Sequence, residues 1–277
     1  MWNEFRSVLM RMTGVALILF VASALSFADI QLDEDGNPFE FTSATMSDGV
    51  EIALAIGYPR GFDPEEEKQY PAVLEMSGYP RQAKPAPHEP YAGRYITVNA
   101  SLRGTGASEG EFSYMSDRSI RDGYEIIEEW IVTQPWSNGK VGIHGHSWSG
   151  LTGFRIAATQ PPHLEAVVVS GLFDDSIRGI AAIGGIRNIG FPVSWTSNFD
   201  REDGVFGSDE AAKEVRELSE EEATEIKSSR GEPDTTLQEP QEEMPSDRPA
   251  TYRELAANIE APIYLMHSYQ DLSLIHI

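Results

Sequence analysis

The sequence predicts an α/β fold: a mostly parallel sheet with helices on both faces and an inserted helical cap. Short apolar runs, typical of buried strands, alternate with segments that carry apolar residues at helical spacing. Glycine and proline end several of these runs. A long acidic segment interrupts the alternation before the last predicted strand. Its place between two core strands favours a cap over the carboxyl edge of the sheet, where open α/β sheets bind their ligands.

The predicted elements follow one another as strands separated by helices. One helix is expected over residues 117–136, with Asp117 as its N-cap and with Ile120, Tyr124 and Ile127 on its apolar face. A second helix is expected over residues 149–161, where proline stops it. Six strands are predicted, over residues 49–59, 70–80, 93–101, 139–147, 164–171 and 261–268.

Residues 1–28 have the layout of a secretory signal peptide. Arg6 and Arg11 precede a short apolar run, and small residues lead up to the expected cleavage after Ala28. The run is short for a bilayer span, and a signal anchor is the alternative. We therefore expect a secreted or periplasmic protein that meets a membrane only through this signal. The chain has no cysteine, so its fold uses no disulfide even where export would permit one.

The rest of the chain divides into a core and an insertion. Residues 29–171 are expected to form the first part of the core, residues 172–256 the helical cap, and residues 257–271 the return to the core. The acidic stretch of the cap is expected to be a solvated helical face or a loop. The last six residues, "LSLIHI" at 272–277, resemble translated adaptor sequence, so we expect the authentic chain to continue past Asp271.

Composition argues against several classes of partner. The chain carries 44 acidic and 21 basic residues, for a formal net charge of -23. Nucleic-acid backbones bind basic surfaces, so no nucleic-acid partner is expected. The sequence has no P-loop, no G-x-G-x-x-G after a predicted strand and no spacing typical of a zinc site. We expect neither a cofactor nor a metal, and the sequence does not indicate an oligomeric state.

The segment "GIHGHSWSG" places Ser147 at a predicted corner between a strand and a helix. Such a corner exposes a serine hydroxyl, and it needs small neighbours because the backbone packs closely around it. Gly145 fills the first small position, Ser149 stands where a second glycine is usual, and Gly150 follows. The helix that begins there would help to stabilise an oxyanion. The alternative is a serine that caps a helix after a tight turn.

Four segments together resemble one group of serine hydrolases. "RGTGASEGEF" and "QPWSNGKVGIHGHSWSG" are the specific ones, and "YPAVLEMSGYPR" and "NIEAPIYLMHSYQD" accompany them in the same order. Over residues 48–271, and least over residues 172–247, the chain resembles the cocaine esterase and X-Pro dipeptidyl-peptidase family, with the α-amino acid ester hydrolases as close relatives. The resemblance implies an α/β-hydrolase fold and acyl transfer from a small ester, amide or short peptide to water.

The resemblance also implies roles for individual residues. Ser147 corresponds to the nucleophile, and Asp271 to the acid of a Ser-Asp-His triad. The backbone N–H of Trp148 and the hydroxyl of Tyr79 correspond to the two oxyanion donors. Taken alone, Tyr79 equally fits a half-buried aromatic residue, and Asp271 fits a carboxylate that caps a turn. Arg103, in the "RGTGASEGE" loop, is interpreted as a structural ion-pair residue.

The catalytic histidine is expected after the acid on this fold. His276 lies too close to Asp271 for a strand to intervene, and His267 is the least implausible substitute. We therefore expect the base to lie beyond residue 277, and the 277-residue chain to be inactive and poorly stable. Three alternatives stay open: an X-Pro dipeptidyl-peptidase, an α-amino acid ester hydrolase, and a non-catalytic binding protein on a hydrolase scaffold.

Overall fold

The computed structural model describes residues 30–33, 35–79, 94–113, 116–175, 177–196 and 251–266. The predicted signal segment, most of the acidic insertion and Asp271 lie outside these ranges. Within them, no helix combines the length and the apolar character needed to cross a bilayer.

In the part of the chain that the structure describes, the core is an eight-stranded sheet, and a two-stranded hairpin lies apart from it. The strands, in chain order, are β1 (Gln31–Leu32), β2 (Pro38–Thr45), β3 (Glu51–Gly57), β4 (Tyr70–Ser77), β5 (Ile96–Ser101), β6 (Ser137–His146), β7 (Leu164–Ser170), β8 (Ala182–Ile183), β9 (Ile186–Arg187) and β10 (Ile263–Met266).

The strand order in the large sheet is β1-β2-β3-β5-β4-β6-β7-β10. The pairs from β5 through β4, β6 and β7 to β10 are parallel, and the pairs from β1 to β3 and from β3 to β5 are antiparallel. All six predicted strands are present, and the predicted α/β class with a mostly parallel sheet is confirmed. Because β4, β6, β7 and β10 run in one direction, their carboxyl ends meet at one edge of the sheet.

Sequence reasoning missed the first hairpin, β1 and β2. In β2 most side chains are only half-buried, since this strand lies near the edge of the sheet and antiparallel to its neighbours. The continuous apolar run that marks a strand buried on both faces is therefore missing there. The alternating Phe39 and Phe41 in "PFEFTSAT" are a weak sequence signal of this strand. Their rings meet edge-on in the structure.

The predicted helix after residue 116 is present but begins differently. Helix α1 (Asp117–Glu125) continues as a π-helical turn, Ile126–Trp130, and a 3₁₀ turn, Ile131–Thr133. The prediction that Asp117 is the N-cap is wrong. Ser116 has extended backbone angles and its Oγ accepts the N–H of Ser119, so Ser116 caps the helix. Asp117 lies in the first turn instead.

Helix α2 (Trp148–Ala157) packs on the sheet immediately after β6. All ten of its residues are buried. Arg155 near its end forms an ion pair with Asp117 of α1 at 2.9 Å, and this ion pair joins the two helices on that face. Helix α2 thus packs against β4, β6 and β7 of the sheet and against α1.

The predicted cap is described only at its two ends. A π-helical turn (Ile177–Ala181), the β8–β9 hairpin and helix α3 (Phe191–Thr196) follow β7, and helix α4 (Tyr252–Ala256) precedes β10. The assignment of residues 172–256 to a helical cap stays a prediction, because residues 197–250 lie outside the described chain.

Strand β10 is the last described strand of the sheet and pairs there with β7. Its four side chains are 38% to 62% exposed. Apolar side chains are therefore solvent-exposed on both faces of this strand within the described structure, unlike those of β3 to β6, whose apolar residues form the core.

Candidate active site

Ser147 occupies the corner between β6 and α2. Its backbone has φ 58° and ψ -120°, and in the described residues only one other non-glycine residue, Gln160, has a positive φ. Such a conformation costs about 1–3 kcal/mol and persists only where the surroundings enforce it. The predicted strained strand-to-helix turn is therefore present at the predicted serine, which is partly exposed.

Backbone hydrogen bonds hold this turn on both sides. The N–H of Ser147 donates to the carbonyl of Ser170 at the end of β7, at 2.9 Å. The carbonyl of Ser147 accepts the N–H of Leu151 at 2.8 Å, which starts the hydrogen-bond ladder of α2. The turn is thus anchored to the neighbouring strand and to its own helix.

Two glycines make room for the turn. A Cβ at Gly145 would lie 2.4 Å from the carbonyl oxygen of Ser149, and a Cβ at Gly150 would lie 2.6 Å from that of Ser170. Both distances are shorter than any tolerable contact, so each position requires glycine for close backbone approach. The close neighbours that a nucleophile corner demands are therefore Gly145 and Gly150, and residue 149 has room for a side chain.

The Ser149 side chain is buried and hydrogen-bonded. Its Oγ accepts the backbone N–H of His146 at 2.9 Å and donates to Glu75 Oε1 at 2.8 Å, with the His146 carbonyl at 3.0 Å as an alternative acceptor. The other oxygen of Glu75, in β4, lies 3.5 Å from Nδ1 of His144. Sequence reasoning missed Glu75, although a carboxylate within the apolar run "AVLEMS" was a signal.

Tyr79 lies just beyond the end of β4, next to the corner. Its hydroxyl is 3.4 Å from Oγ of Ser147. Its backbone N–H donates to Oγ of Ser77 at 3.2 Å, and its ring meets the ring of Trp148 edge-on, with centroids 5.3 Å apart. The structure therefore brings together Tyr79, Ser147 and Trp148, three of the four predicted site residues.

The Trp148 side chain anchors this corner in the core. It is 1% exposed, and its ring contacts Phe112 and Trp195. The ring also lies against Gly78, where an added Cβ would come within 2.5 Å of it. Trp148 is the first residue of α2, so its backbone stands beside Ser147 at the positive end of the helix dipole.

The described histidines have other partners. Nδ1 of His146, which is exposed, lies 2.8 Å from Oγ of Ser170, and Nδ1 of His163 lies 2.7 Å from Glu128. Asp271, the predicted triad acid, lies outside the described residues, as do His267 and His276, so their roles stay predictions.

Residues 48–276 match the family model described as X-Pro dipeptidyl-peptidase (S15 family). The chain belongs to the S15 family. The predicted resemblance to this group of hydrolases is confirmed over the range in which the four segments were found, and the family is one of serine hydrolases and esterases.

Curated relatives of this S15 member include esterases. A Mycobacterium bovis protein described as a serine esterase is 32% identical over 173 residues, which cover 54% of this chain and 27% of that protein. The cocaine esterase of a Rhodococcus species is 34% identical over 85 residues, which cover 30% of this chain and 14% of that enzyme. The matched part is thus well under half the length of these relatives.

A solved structure supports the fold. A CocE/NonD family hydrolase from Staphylococcus aureus superposes with a TM-score of 0.53 at 22% identity, over 84% of this chain and 46% of that one. At this identity the likeness concerns the fold alone. The predicted α/β-hydrolase fold is confirmed.

The "RGTGASEGE" loop of this S15 member is held by ion pairs. The Arg103 guanidinium donates two hydrogen bonds to Asp122 of α1, at 2.9 and 2.8 Å, and contacts Asp48 at 2.9 Å. The hydrogen bond from Arg103 holds the pKa of Asp48 below its usual value, whereas burial raises the pKa of Asp122. The Glu109 carboxylate accepts the backbone N–H of Glu51 at 3.1 Å. These contacts agree with a structural role for Arg103.

Proposed function

We propose that this chain carries the nucleophile of a secreted serine hydrolase that cleaves ester or amide bonds through a covalent acyl-enzyme. The observation that carries the proposal is the strained corner at Ser147, whose Oγ lies 3.4 Å from the hydroxyl of Tyr79. Strained backbone concentrates at functional sites, and this corner belongs to a family of serine hydrolases.

The proposed reaction has two acyl-transfer steps. A histidine removes the proton of Ser147 Oγ as this oxygen bonds to the substrate carbonyl carbon, and the carbonyl π electrons move to its oxygen. When the tetrahedral intermediate collapses, the bond to the leaving group breaks, and the histidine returns the proton to the departing alcohol or amine. Water then attacks the acyl-enzyme by the same route and releases the acid and free Ser147.

Two donors would stabilise the oxyanion. Trp148 begins α2 beside Ser147, so its N–H is proposed as the first donor. The Tyr79 hydroxyl is proposed as the second, because it lies next to Oγ and its ring is fixed against Trp148. A donor that is already in position loses little energy to reorganisation during the reaction.

Asp271 is the proposed triad acid. Strands β6 and β10 are both parallel to β7, so the chain leaves them at the same edge of the sheet. Asp271 follows the end of β10, as Ser147 follows β6. We propose that it orients the catalytic histidine, and that residues 1–28 direct export and are then removed. N-terminal sequencing of secreted protein would contradict removal if it found Met1.

Labelling of the full-length gene product by a fluorophosphonate probe tests the nucleophile. We expect rapid labelling and hydrolysis of a p-nitrophenyl ester, both abolished by Ser147→Ala. The matched control is Ser43→Ala, because this hydroxyl lies on the distant strand β2. Turnover by Ser147→Ala at the parent rate would overturn the proposal, and a parent that neither labels nor turns over would favour the non-catalytic binding protein.

The family model favours a second candidate substrate class. It is named for X-Pro dipeptidyl-peptidases, whereas the matched curated relatives are esterases. A peptidase of that type, or an α-amino acid ester hydrolase, must bind a substrate's free amine. Paired substrates with free and acetylated N-termini separate these from a plain esterase: a large loss of kcat/KM on acetylation indicates amine recognition, and equal rates indicate an esterase.

A further inference from the structure

The serine that replaces the usual glycine in the corner makes a set of hydrogen bonds that the proposed reaction has not used. Ser149 is 2% exposed, and its Oγ lies within 3.0 Å of three partners: the N–H and the carbonyl of His146, and Oε1 of Glu75. Two of these partners belong to the residue directly before Ser147. The third belongs to β4, the strand next to β6.

We propose that Ser149 and Glu75 form a clamp that positions the Ser147 hydroxyl for attack. Neither residue touches the reacting atoms, so both are positioning residues, and the inference rests on the proposed nucleophilic role of Ser147. Through the hydroxyl of Ser149, the clamp links the backbone of His146 to Glu75 on β4. Strand β4 is also the strand that Tyr79 follows.

Backbone strain explains why such a clamp matters. The positive φ of Ser147 is an energetically unfavourable conformation, and the corner relaxes unless its neighbours oppose that motion. The backbone bonds of Ser147 to Ser170 and Leu151 hold the residue itself. The Ser149 hydroxyl holds the residue before it, because it accepts the N–H of His146. Both ends of the turn are then fixed.

Glu75 fixes the direction in which the Ser149 hydroxyl points its proton. A hydroxyl has one proton, and a carboxylate accepts it in a charge-assisted hydrogen bond of about twice the usual strength. When the proton goes to Glu75 at 2.8 Å, the lone pairs of Ser149 Oγ are left for the N–H of His146. The Glu75 side chain is 18% exposed, and its second oxygen lies 3.5 Å from Nδ1 of His144.

The clamp also fixes the distance between the proposed nucleophile and the proposed oxyanion donor. Glu75 lies on β4, and Tyr79 follows the same strand, whereas Ser147 follows β6 and Ser149 lies in the first turn of α2. The Glu75–Ser149 bond therefore ties together the two strand ends that carry Tyr79 and Ser147. Its loss would change the rate of attack more than substrate binding, since Ser149 is 2% exposed and the Glu75 side chain 18% exposed.

The test uses the full-length protein with Ser149→Ala, Glu75→Ala, the double variant and Glu75→Gln. We expect kcat, and the rate constant for fluorophosphonate labelling, to fall roughly tenfold to a hundredfold in each alanine variant while KM changes less than threefold. The double variant is expected to have the same kcat and labelling rate constant as the less active single variant, because both substitutions remove the same interaction. Glu75→Gln keeps an acceptor oxygen and should recover at least half of the loss on a logarithmic scale.

The matched control is Thr152→Val in the next turn of α2. Its Oγ1 is buried and has no hydrogen-bond partner within the described structure, so a lost hydroxyl there should leave labelling unchanged. Labelling of Ser149→Ala within twofold of the parent would overturn the clamp, as would additive losses in the double variant or an equal loss in Thr152→Val. If Glu75→Ala does not fold, Ser149→Ala and Glu75→Gln still decide. An unlabelled parent would instead overturn the proposed function itself.

Discussion

The hydroxyl of Tyr79 and the Oγ of Ser147 lie 3.4 Å apart, although 68 positions separate the two residues. This separation is longer than a good O–H···O hydrogen bond, which is about 2.7–2.8 Å. Hydrogen bonds at active sites are often long before substrate binds and tighten in the transition state. The geometry thus suits a tyrosine that donates to a substrate oxyanion formed beside Ser147.

Loss of the Tyr79 hydroxyl should slow the reaction without stopping it. In the full-length protein, Tyr79→Phe keeps the ring against Trp148 but removes the proposed donor, so we expect kcat to fall about 100- to 1,000-fold with little change in KM. The control is Tyr58→Phe, whose hydroxyl donates to Glu40 on β2. A Tyr79→Phe variant with the parent's kcat would exclude this hydroxyl from the oxyanion hole.

A methyl group at Gly78 should disturb the same site by steric contact. The new Cβ would lie 2.5 Å from Trp148 Cη2, so the indole must move and the packing of Tyr79 with it. We expect Gly78→Ala to lower the free energy of unfolding by roughly 1–3 kcal/mol and to reduce kcat. Urea denaturation and ester hydrolysis measure the two effects.

Gly142 is the matched control for this substitution. It lies in β6, and an added Cβ would meet its nearest atom, the Ala166 carbonyl oxygen, at an ordinary 3.7 Å. Gly142→Ala should therefore keep the parent's kcat. Equal losses of kcat at residues 78 and 142 would show that the contact with Trp148 is not the cause.

Glycine at residue 147 should stabilise the fold relative to alanine. Glycine adopts positive φ without the steric cost of a Cβ, so Ser147→Gly should unfold with about 1 kcal/mol more free energy than Ser147→Ala. At Ser43, inside β2, the order should reverse, because glycine weakens a strand. Thermal melts of the four variants give both comparisons, and the same order at both positions would argue against strain at the corner.

Stability below neutral pH should depend on Glu125 at the end of α1. Burial alone would raise the pKa of Glu125, but hydrogen bonds from Arg118 and Ser47 outweigh burial and lower the pKa to about 2 from its ordinary 4.5. A lowered pKa gives stability that is present above pH 4.5 and is lost as the pH falls towards 2. At about 1.4 kcal/mol per pKa unit, this contribution is roughly 3.5 kcal/mol at most.

Glu125→Gln isolates this contribution from that of Asp122, whose pKa burial shifts in the opposite direction. We expect the variant to be less stable than the parent at pH 7, and the difference to shrink between pH 4.5 and pH 2. Urea unfolding at several pH values measures it, with the exposed Glu65→Gln as control. A difference that stays constant down to pH 2 would show that the carboxylate charge is not responsible.

Local sequence was enough to place most elements along the chain. Strands β4 and β7 carry the short apolar runs "AVL" and "AVVV", and the corner at Ser147 is marked by Gly145 and the helix that follows. Each of these signals lies within one segment of sequence. It is either the periodicity of apolar residues in that segment or a glycine that close backbone packing requires. The half-exposed β2 lacked such a signal. Both Ser116 and Asp117 are good capping residues, so the sequence alone did not distinguish them, and the structure places Ser116 at the N-cap.

The sequence by itself thus determined the α/β pattern, the strained serine corner and a tyrosine at the end of a core strand. Only the tertiary structure decided which side chains meet. Tyr79 reaches Ser147, and Glu75 reaches Ser149, because β4 and β6 are neighbours in the sheet although β5 and α1 separate them along the chain. The physical reason is that a strand's own residues fix its periodicity, whereas its neighbours and register depend on the packing of the whole sheet.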